Sequence, residues 1–218
     1  MIEQTYTFTV NGVPLSYRYY DEGACHTHHM EEAKIRDSVW DVRDGMYCVC
    51  LGAACGDYVL TACRRGAARV YAFEPNPVTF ELLRRNVILN KWQDLCVLSS
   101  LGISSSERGA FLHKDIHTLT DEAGHYPIHL TTLDSFIDGL SIAPPRLDWI
   151  QIDIEMEEIE AAKGMVRTVR RYRPKILVEI HEPNTIKQFL SIVDANYAAE
   201  NIPYQDGCAN SYWLCTRR

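Results

Sequence analysis

The apolar run Tyr47-Cys48-Val49-Cys50-Leu51 ends in Gly52-Ala53-Ala54-Cys55-Gly56, and a second run, Tyr71-Ala72-Phe73, ends in Glu74 followed by Pro75-Asn76-Pro77. Two glycines between an apolar run and a helical stretch let a strand turn tightly into a helix and leave bare backbone for a ligand to approach. A carboxylate about 20 residues further on, at the tip of the next strand, can accept hydrogen bonds from both hydroxyls of a ribose. This is the layout of a nucleoside-binding βαβ unit, so the ligand expected is an adenosine derivative. Dinucleotide sites favour Gly-x-Gly-x-x-Gly, because a pyrophosphate sits against the helix N-terminus. Here the spacing is Gly52-x-x-x-Gly56 and the next residue is Asp57. That charge would repel a pyrophosphate but does little harm to the zwitterionic methionine end of S-adenosylmethionine. On this reading Gly52→Val should abolish ligand binding and leave the chain folded.

The other groups of reactive residue types read as structural. The tract Cys25-His26-Thr27-His28-His29 has a metal-like composition, but a zinc site needs a spaced second half, so it reads as a polar loop ahead of the core. The eight cysteines contain no Cys-x-x-Cys. Cys48, Cys50, Cys63 and Cys96 lie in apolar segments and read as reduced core thiols. A net charge of −7 argues against binding a phosphate backbone, which needs clustered Lys and Arg. The one basic cluster, Arg167, Arg170, Arg171 and Arg173, suits the solvated face and C-terminal turn of a helix. With no apolar run of about 18 residues and no basic, apolar leader, a soluble cytoplasmic protein without membrane or nucleic-acid partners is expected.

These residues need a scaffold, and the 218-residue chain, 46 % hydrophobic and 23 % charged, can bury one full core. Residues 57–66 read as a helix and 69–74 as a strand. Asn76 and Pro77 open a second helix as N-cap and first residue, with Phe80, Leu83 and Val87 as its buried stripe. Residues 94–99 are a third strand, and 102–129 read as a hairpin and a covering loop. Thr131-Thr132-Leu133-Asp134 resembles a capping box that starts a short helix reaching about Gly139. A fourth strand at 147–153, a helix over 156–171, a fifth strand at 174–181, a helix over 184–196 and a closing strand at 212–215 follow. Alternating elements of these lengths give a doubly wound, mainly parallel α/β sheet with its ligand at the carboxyl ends of the strands. Residues 1–40 read as an N-terminal extension packed on the core domain 41–218, with alternation in Thr5–Val10 and a hairpin signal at Asn11-Gly12.

Over roughly residues 40–215 the chain resembles the FkbM-type family of S-adenosylmethionine-dependent methyltransferases. Four blocks carry the resemblance: Leu51–Gly56; Phe73-Glu74-Pro75-Asn76-Pro77 with Leu83 and Asn86-Val87; Thr132-Leu133-Asp134-Ser135; and Ile152-Asp153-Ile154-Glu155 through Glu158 and Gly164 to Arg173–Glu179. The resemblance implies a seven-stranded, Rossmann-like class I methyltransferase fold. It also implies transfer of a methyl group to a hydroxyl of a sugar, polyketide or other small molecule. Carried over by position, Cys50, Gly52, Ala53, Gly56, Glu74, Pro75, Asn76 and Asp153 would surround S-adenosylmethionine, and Glu74 would hold its ribose. Asp153 and Glu155 would stand beside the transferable methyl and orient or deprotonate the acceptor, with His181 the other candidate base. Asp153, Glu155 and Glu158 could gather a hard cation, but no further ligand signature accompanies them and no metal site is assigned. Two positions depart from the family pattern: Cys50 replaces an acidic residue ahead of the glycine loop, and Met156 replaces the Gly of Asp-x-Glu-Gly. The alternative reading is a degenerate methyltransferase fold used as a binding or scaffold protein.

Overall fold

A chain of alternating apolar runs and amphipathic stretches has to bury each run between helices. The computed structural model describes residues 2–10 and 13–21 as backbone strands, and 35–114, 118–120, 125–182, 185–203 and 211–218 with their side chains. Strands β1 (Ile2–Val10) and β2 (Val13–Asp21) pair antiparallel, Val10 opposite Val13, as the alternation implies. The His-rich tract at 25–29 and the Asn11-Gly12 turn lie outside the described residues.

Strand β3 (Tyr47–Leu51), helix α1 (Asp57–Arg64), strand β4 (Arg69–Phe73), helix α2 (Pro77–Leu89) and strand β5 (Cys96–Ser99) form the first half. A second half follows a four-stranded excursion and the short helix α3 (Leu133–Asp138). It consists of β10 (Trp149–Ile152), α4 (Glu158–Lys163), α5 (Val166–Tyr172), β11 (Lys175–Ile180), α6 (Thr185–Val193), β12 (Tyr197–Ile202) and β13 (Ser211–Arg217). The main sheet has seven strands in the order β12-β13-β11-β10-β3-β4-β5, with β13 antiparallel to both neighbours and the rest parallel. The strand order reverses between β3 and β10, where a crevice opens at the carboxyl ends of an α/β sheet.

Both faces of the sheet are covered. Cys48, Cys50, Val70, Ala72, Trp149 and Leu177 pack with α1, α2 and Trp40 on one side, and Val49, Leu51, Phe73, Ile150 and Ile152 pack with α3 to α6 on the other. Burial on both faces explains why β3 reads as a continuous apolar run, with Cys48 to Leu51 fully buried. Asn76 caps α2 as expected, its Oδ1 accepting from Val78 N at 2.9 Å. The six described cysteines are buried, and the Sγ atoms of Cys63 and Cys96 lie 3.5 Å apart. Among the described residues no helix is long and apolar enough to cross a membrane.

The structure corrects three sequence-based boundaries. The single helix expected over 156–171 is two helices, broken at Gly164-Met165. A Cβ on Gly164 would lie 2.1 Å from the carbonyl oxygen of Ser104, so the chain turns there against the excursion. Asp134 then restarts the helix: its carboxylate accepts from Arg167 N at 3.0 Å and Thr168 N at 2.7 Å. The stretch expected as a hairpin and loop contributes, among its described residues, four strands of a second sheet, β6 (Gly102–Ile103), β7 (Arg108–Leu112), β8 (Leu119–Thr120) and β9 (Tyr126–Thr131), in the order β6-β9-β7-β8. Strand β12, at the sheet edge and with a half-exposed pattern, is an element that the periodicity does not predict.

Candidate functional site

The rim of the crevice is built from the ends of β3, β4, β10 and β11. After β3 the backbone turns back on itself, and the N–H groups of Gly52 and Ala53 both donate to the Phe73 carbonyl, at 3.0 and 2.8 Å. Gly52 has φ +76°, and a Cβ there would lie 1.6 Å from the Asp153 carbonyl oxygen. Gly56, at φ +108°, caps α1, and a Cβ there would meet Leu83 Cδ1 at 2.9 Å. The space that both glycines leave is therefore filled by the protein itself. This corrects the expectation that Gly52→Val spares the fold: a larger side chain drives the ends of β3 and β10 apart before any ligand arrives.

Glu74 closes the loop. One carboxylate oxygen accepts from Ala54 N at 2.8 Å and the other from Asn76 N at 2.9 Å, so this side chain straps the glycine loop to the start of α2. It also holds Ala54 at φ +44°, a left-handed conformation unusual outside glycine. Asn86 adds a second tie, donating from Nδ2 to the Cys55 carbonyl at 2.8 Å. Ala53 and Asn76 are nearly buried at the same rim, and Pro75 packs beside Gly102. Cys50 is different. It is 0 % exposed inside β3 and burial pushes its thiol far above the usual range, so it offers no surface to a ligand, against expectation. Asp57 is met by the Arg36 guanidinium at 3.8 Å, which tempers the repulsion expected at the start of α1.

Across the crevice, Asp153, Glu155 and His181 are brought together. His181 Nε2 lies 3.3 Å from Glu155 Oε2 and 4.0 Å from Asp153 Oδ1. Glu158, weighed from sequence only as part of a cation cluster, and Glu179, to which the sequence assigns no part in this site, complete the group. Glu158 Oε1 lies 2.6 Å from His181 Nδ1 and also accepts from Met156 N at 3.1 Å, while Glu179 Oε1 lies 3.9 Å from Nε2. A carboxylate only accepts, so Nδ1 carries the proton in that contact and Nε2 faces the carboxylates of Asp153, Glu155 and Glu179. Burial opposes a charge on the imidazole, but the Glu158 hydrogen bond and the charges of Glu179 and Glu155 outweigh it and raise its pKa above the ordinary 6.5. Glu158 engages Nδ1 and Glu155 stands 3.3 Å from Nε2, so both ring nitrogens are occupied by neighbours, which ranks His181 behind the carboxylates as a base.

The backbone here is strained where chemistry is expected. Glu155 and Met156 are consecutive non-glycine residues at φ +46° and +77°, and the Met156 side chain projects into solvent, 47 % exposed. Glu158 restrains both this turn and the His181 ring. Tyr212 on β13 donates to Glu179 Oε2 at 2.7 Å and so fixes the other carboxylate. A signal for Glu179 exists in the sequence, because Glu179 and His181 alternate on one face of an otherwise apolar strand, and a charged residue inside such a strand calls for a role.

Comparison with known proteins agrees with this architecture. Residues 51–202 match the methyltransferase FkbM domain. The hexuronic acid methyltransferase AglP of Haloferax volcanii is 27 % identical over 171 residues, which span 74 % of this chain and 64 % of AglP, just under two thirds of its length. The crystal structure of methyltransferase FkbM from Methylobacillus flagellatus superposes with a TM-score of 0.61 at 19 % identity, over 82 % of this chain and 46 % of that one. The Thermus thermophilus 16S rRNA methyltransferase RsmC, solved with AdoMet and guanosine, shares the fold at a TM-score of 0.52 and 12 % identity, over 100 % of this chain and 51 % of its own. With 152 consecutive residues matched, from the glycine loop to the end of β12, the chain belongs to the FkbM methyltransferase family.

Proposed function

We propose that the chain methylates a hydroxyl of a sugar or similar small molecule with S-adenosylmethionine as donor. The observation that carries this reading is the pairing across one crevice of a strapped glycine loop ending in Glu74 with the Asp153, Glu155 and His181 group. The fit to the cofactor rests on Glu74: its carboxylate stands at the tip of β4, and each of its oxygens can accept more than one hydrogen bond, which suits a pair of ribose hydroxyls. Ala53, Pro75 and Asn76 line the same rim.

When bound, S-adenosylmethionine supplies an electrophilic methyl, whose bond to sulfur breaks as an oxygen lone pair forms the new C–O bond. Asp153 and Glu155 orient the acceptor hydroxyl and receive its proton. Glu155 suits the second task because it is 45 % exposed and can pass the proton to water. Glu158 and His181 position them. The sugar acceptor is supported by the likeness to the hexuronic acid enzyme.

Calorimetric titration with S-adenosylhomocysteine tests the reading. Wild-type protein should bind it saturably, and Glu74→Gln should bind at least tenfold more weakly, since hydrogen bonds to a charged acceptor are each worth about 1.5–3 kcal/mol. Absence of saturable heat in the wild type, or an unchanged Kd in the variant, overturns it.

A further inference from the structure

We propose that Asp153, Glu179 and His181 form a binding site for a divalent cation of the Mn2+ type, which would hold the oxygen atoms of the acceptor. One ligand atom from each of the three lies within 4.8 Å of the others. An octahedral cation with bonds of about 2.1–2.2 Å places adjacent ligands roughly 3 Å apart and opposite ligands about 4.4 Å apart. The set seen here is wider than that, so a bound ion would draw the ligands in, chiefly the more exposed Asp153 carboxylate.

The outer shell is that of a metal site. A ligating histidine characteristically donates its second ring N–H to a carboxylate, and Glu158 takes that place on Nδ1 at 2.6 Å. Ligating carboxylates are themselves hydrogen-bonded, and Tyr212 takes one oxygen of Glu179 and leaves Oε1 toward the crevice. Glu158, Glu179 and Tyr212 are all nearly buried, so these orientations are fixed by packing.

An independent observation points the same way. Gln151 lies one pleat below Asp153 on the same face of β10, with Leu177, one pleat below Glu179, as its register partner. It is 3 % exposed, and its Oε1 has no hydrogen-bond partner. A buried amide oxygen without a partner is costly, and a cation or a water bound to one relieves it. One imidazole with two carboxylates suits Mn2+ better than an all-oxygen calcium site or a thiolate zinc site. Three protein ligands leave open positions for neighbouring hydroxyls of a polyol. Glu155, whose Oε2 lies 3.3 Å from Nε2, would then receive the proton from a hydroxyl made more acidic by the cation.

The role given to the cation rests on the methyl-transfer reading, but its binding does not. Chelator-treated protein should be titrated with Mn2+ while the electron paramagnetic resonance signal of the free aqueous ion is followed. One ion per chain should bind saturably. Glu179→Gln and Asp153→Asn should each weaken it at least tenfold, and Tyr212→Phe, which releases Glu179, by about tenfold or more. S-adenosylhomocysteine affinity of Glu179→Gln and Tyr212→Phe should stay at the wild-type value. No saturable binding to the wild type at millimolar Mn2+, or equal affinity in Glu179→Gln, overturns the proposal whatever the folding of the variants. Binding of Mn2+ without any binding of S-adenosylhomocysteine would instead overturn the methyl-transfer reading and leave the cation site standing.

Discussion

Replacing Gly52 by alanine should destabilise the protein far more than the same change at Gly45 or Gly109, and the three positions separate the causes. Gly45 has φ +77° and nothing within 4 Å of the methyl that alanine would add, so Gly45→Ala suffers only the left-handed conformation. That costs about 1–2 kcal/mol, offset in part by the roughly 0.4–1 kcal/mol that glycine loses in unfolded-chain freedom. Gly109 also has open space and no left-handed φ, so Gly109→Ala should stay within about 0.5 kcal/mol. Gly52 combines φ +76° with a methyl 1.6 Å from the Asp153 carbonyl oxygen, where contacts under 3.0 Å force a shift of the neighbour. Backbone cannot rotate away as a side chain can, so about 1–3 kcal/mol of overpacking adds to the conformational term. With the same offset, the net of about 1–4.5 kcal/mol corresponds to a fall in Tm of roughly 2–18 °C for a chain of this size. Differential scanning calorimetry of the three variants reads the series directly. A Gly52→Ala Tm within about 2 °C of Gly45→Ala would show that the overlap is harmless and that the β3 and β10 ends are not locked together.

Asp134→Ala removes the acceptor for two backbone N–H groups at the start of α5 and should cost about 1–3 kcal/mol in urea unfolding; a variant as stable as wild type would mean that water replaces it. The raised pKa of His181 gives a signed pH dependence in chelator-treated protein. The folded state favours the imidazolium, so its contribution is present below pH 6.5 and is lost as pH rises through the raised value. The stability of wild type relative to His181→Gln should accordingly fall as pH rises above 6.5, and a difference that grows with pH would contradict the charge arrangement around the ring.

Much of this molecule is legible in its sequence. The order of strand and helix, the Asn76 cap and the placement of Glu74, Asp153 and His181 follow from periodicity, capping chemistry and strand ends, which are local signals. What stays hidden depends on partners distant in sequence. Gly164 looks like an ordinary helical residue until the Ser104 carbonyl is placed against it, and Asp134 looks like part of its own helix although it caps another. Gly52 suggests room for a ligand, whereas the space is taken by Asp153, about 100 residues away in the chain. Closeness to the loop makes Cys50 look like a cofactor contact, but strand alternation and two covering layers bury it. Strand β12 has too weak an apolar alternation to announce itself at a sheet edge.

The second sheet leaves the core at β6 and rejoins it at β9, and those two strands are neighbours, Gly102 opposite Leu130. The ends of the excursion are therefore fastened side by side, with Ser104 Oγ tied to Glu157 at 3.1 Å and Ser105 Oγ to Glu160 at 2.5 Å. A segment clamped at its base behaves as an appendage with its own length freedom: each doubling of such a loop costs only about 0.6 kcal/mol in closure entropy. Additions at the far end of β7 leave the register of the seven main strands untouched. The fold thus carries a graft point where one surface segment can be exchanged for another, beside a glycine loop packed too tightly against Asp153 to admit a side chain at Gly52.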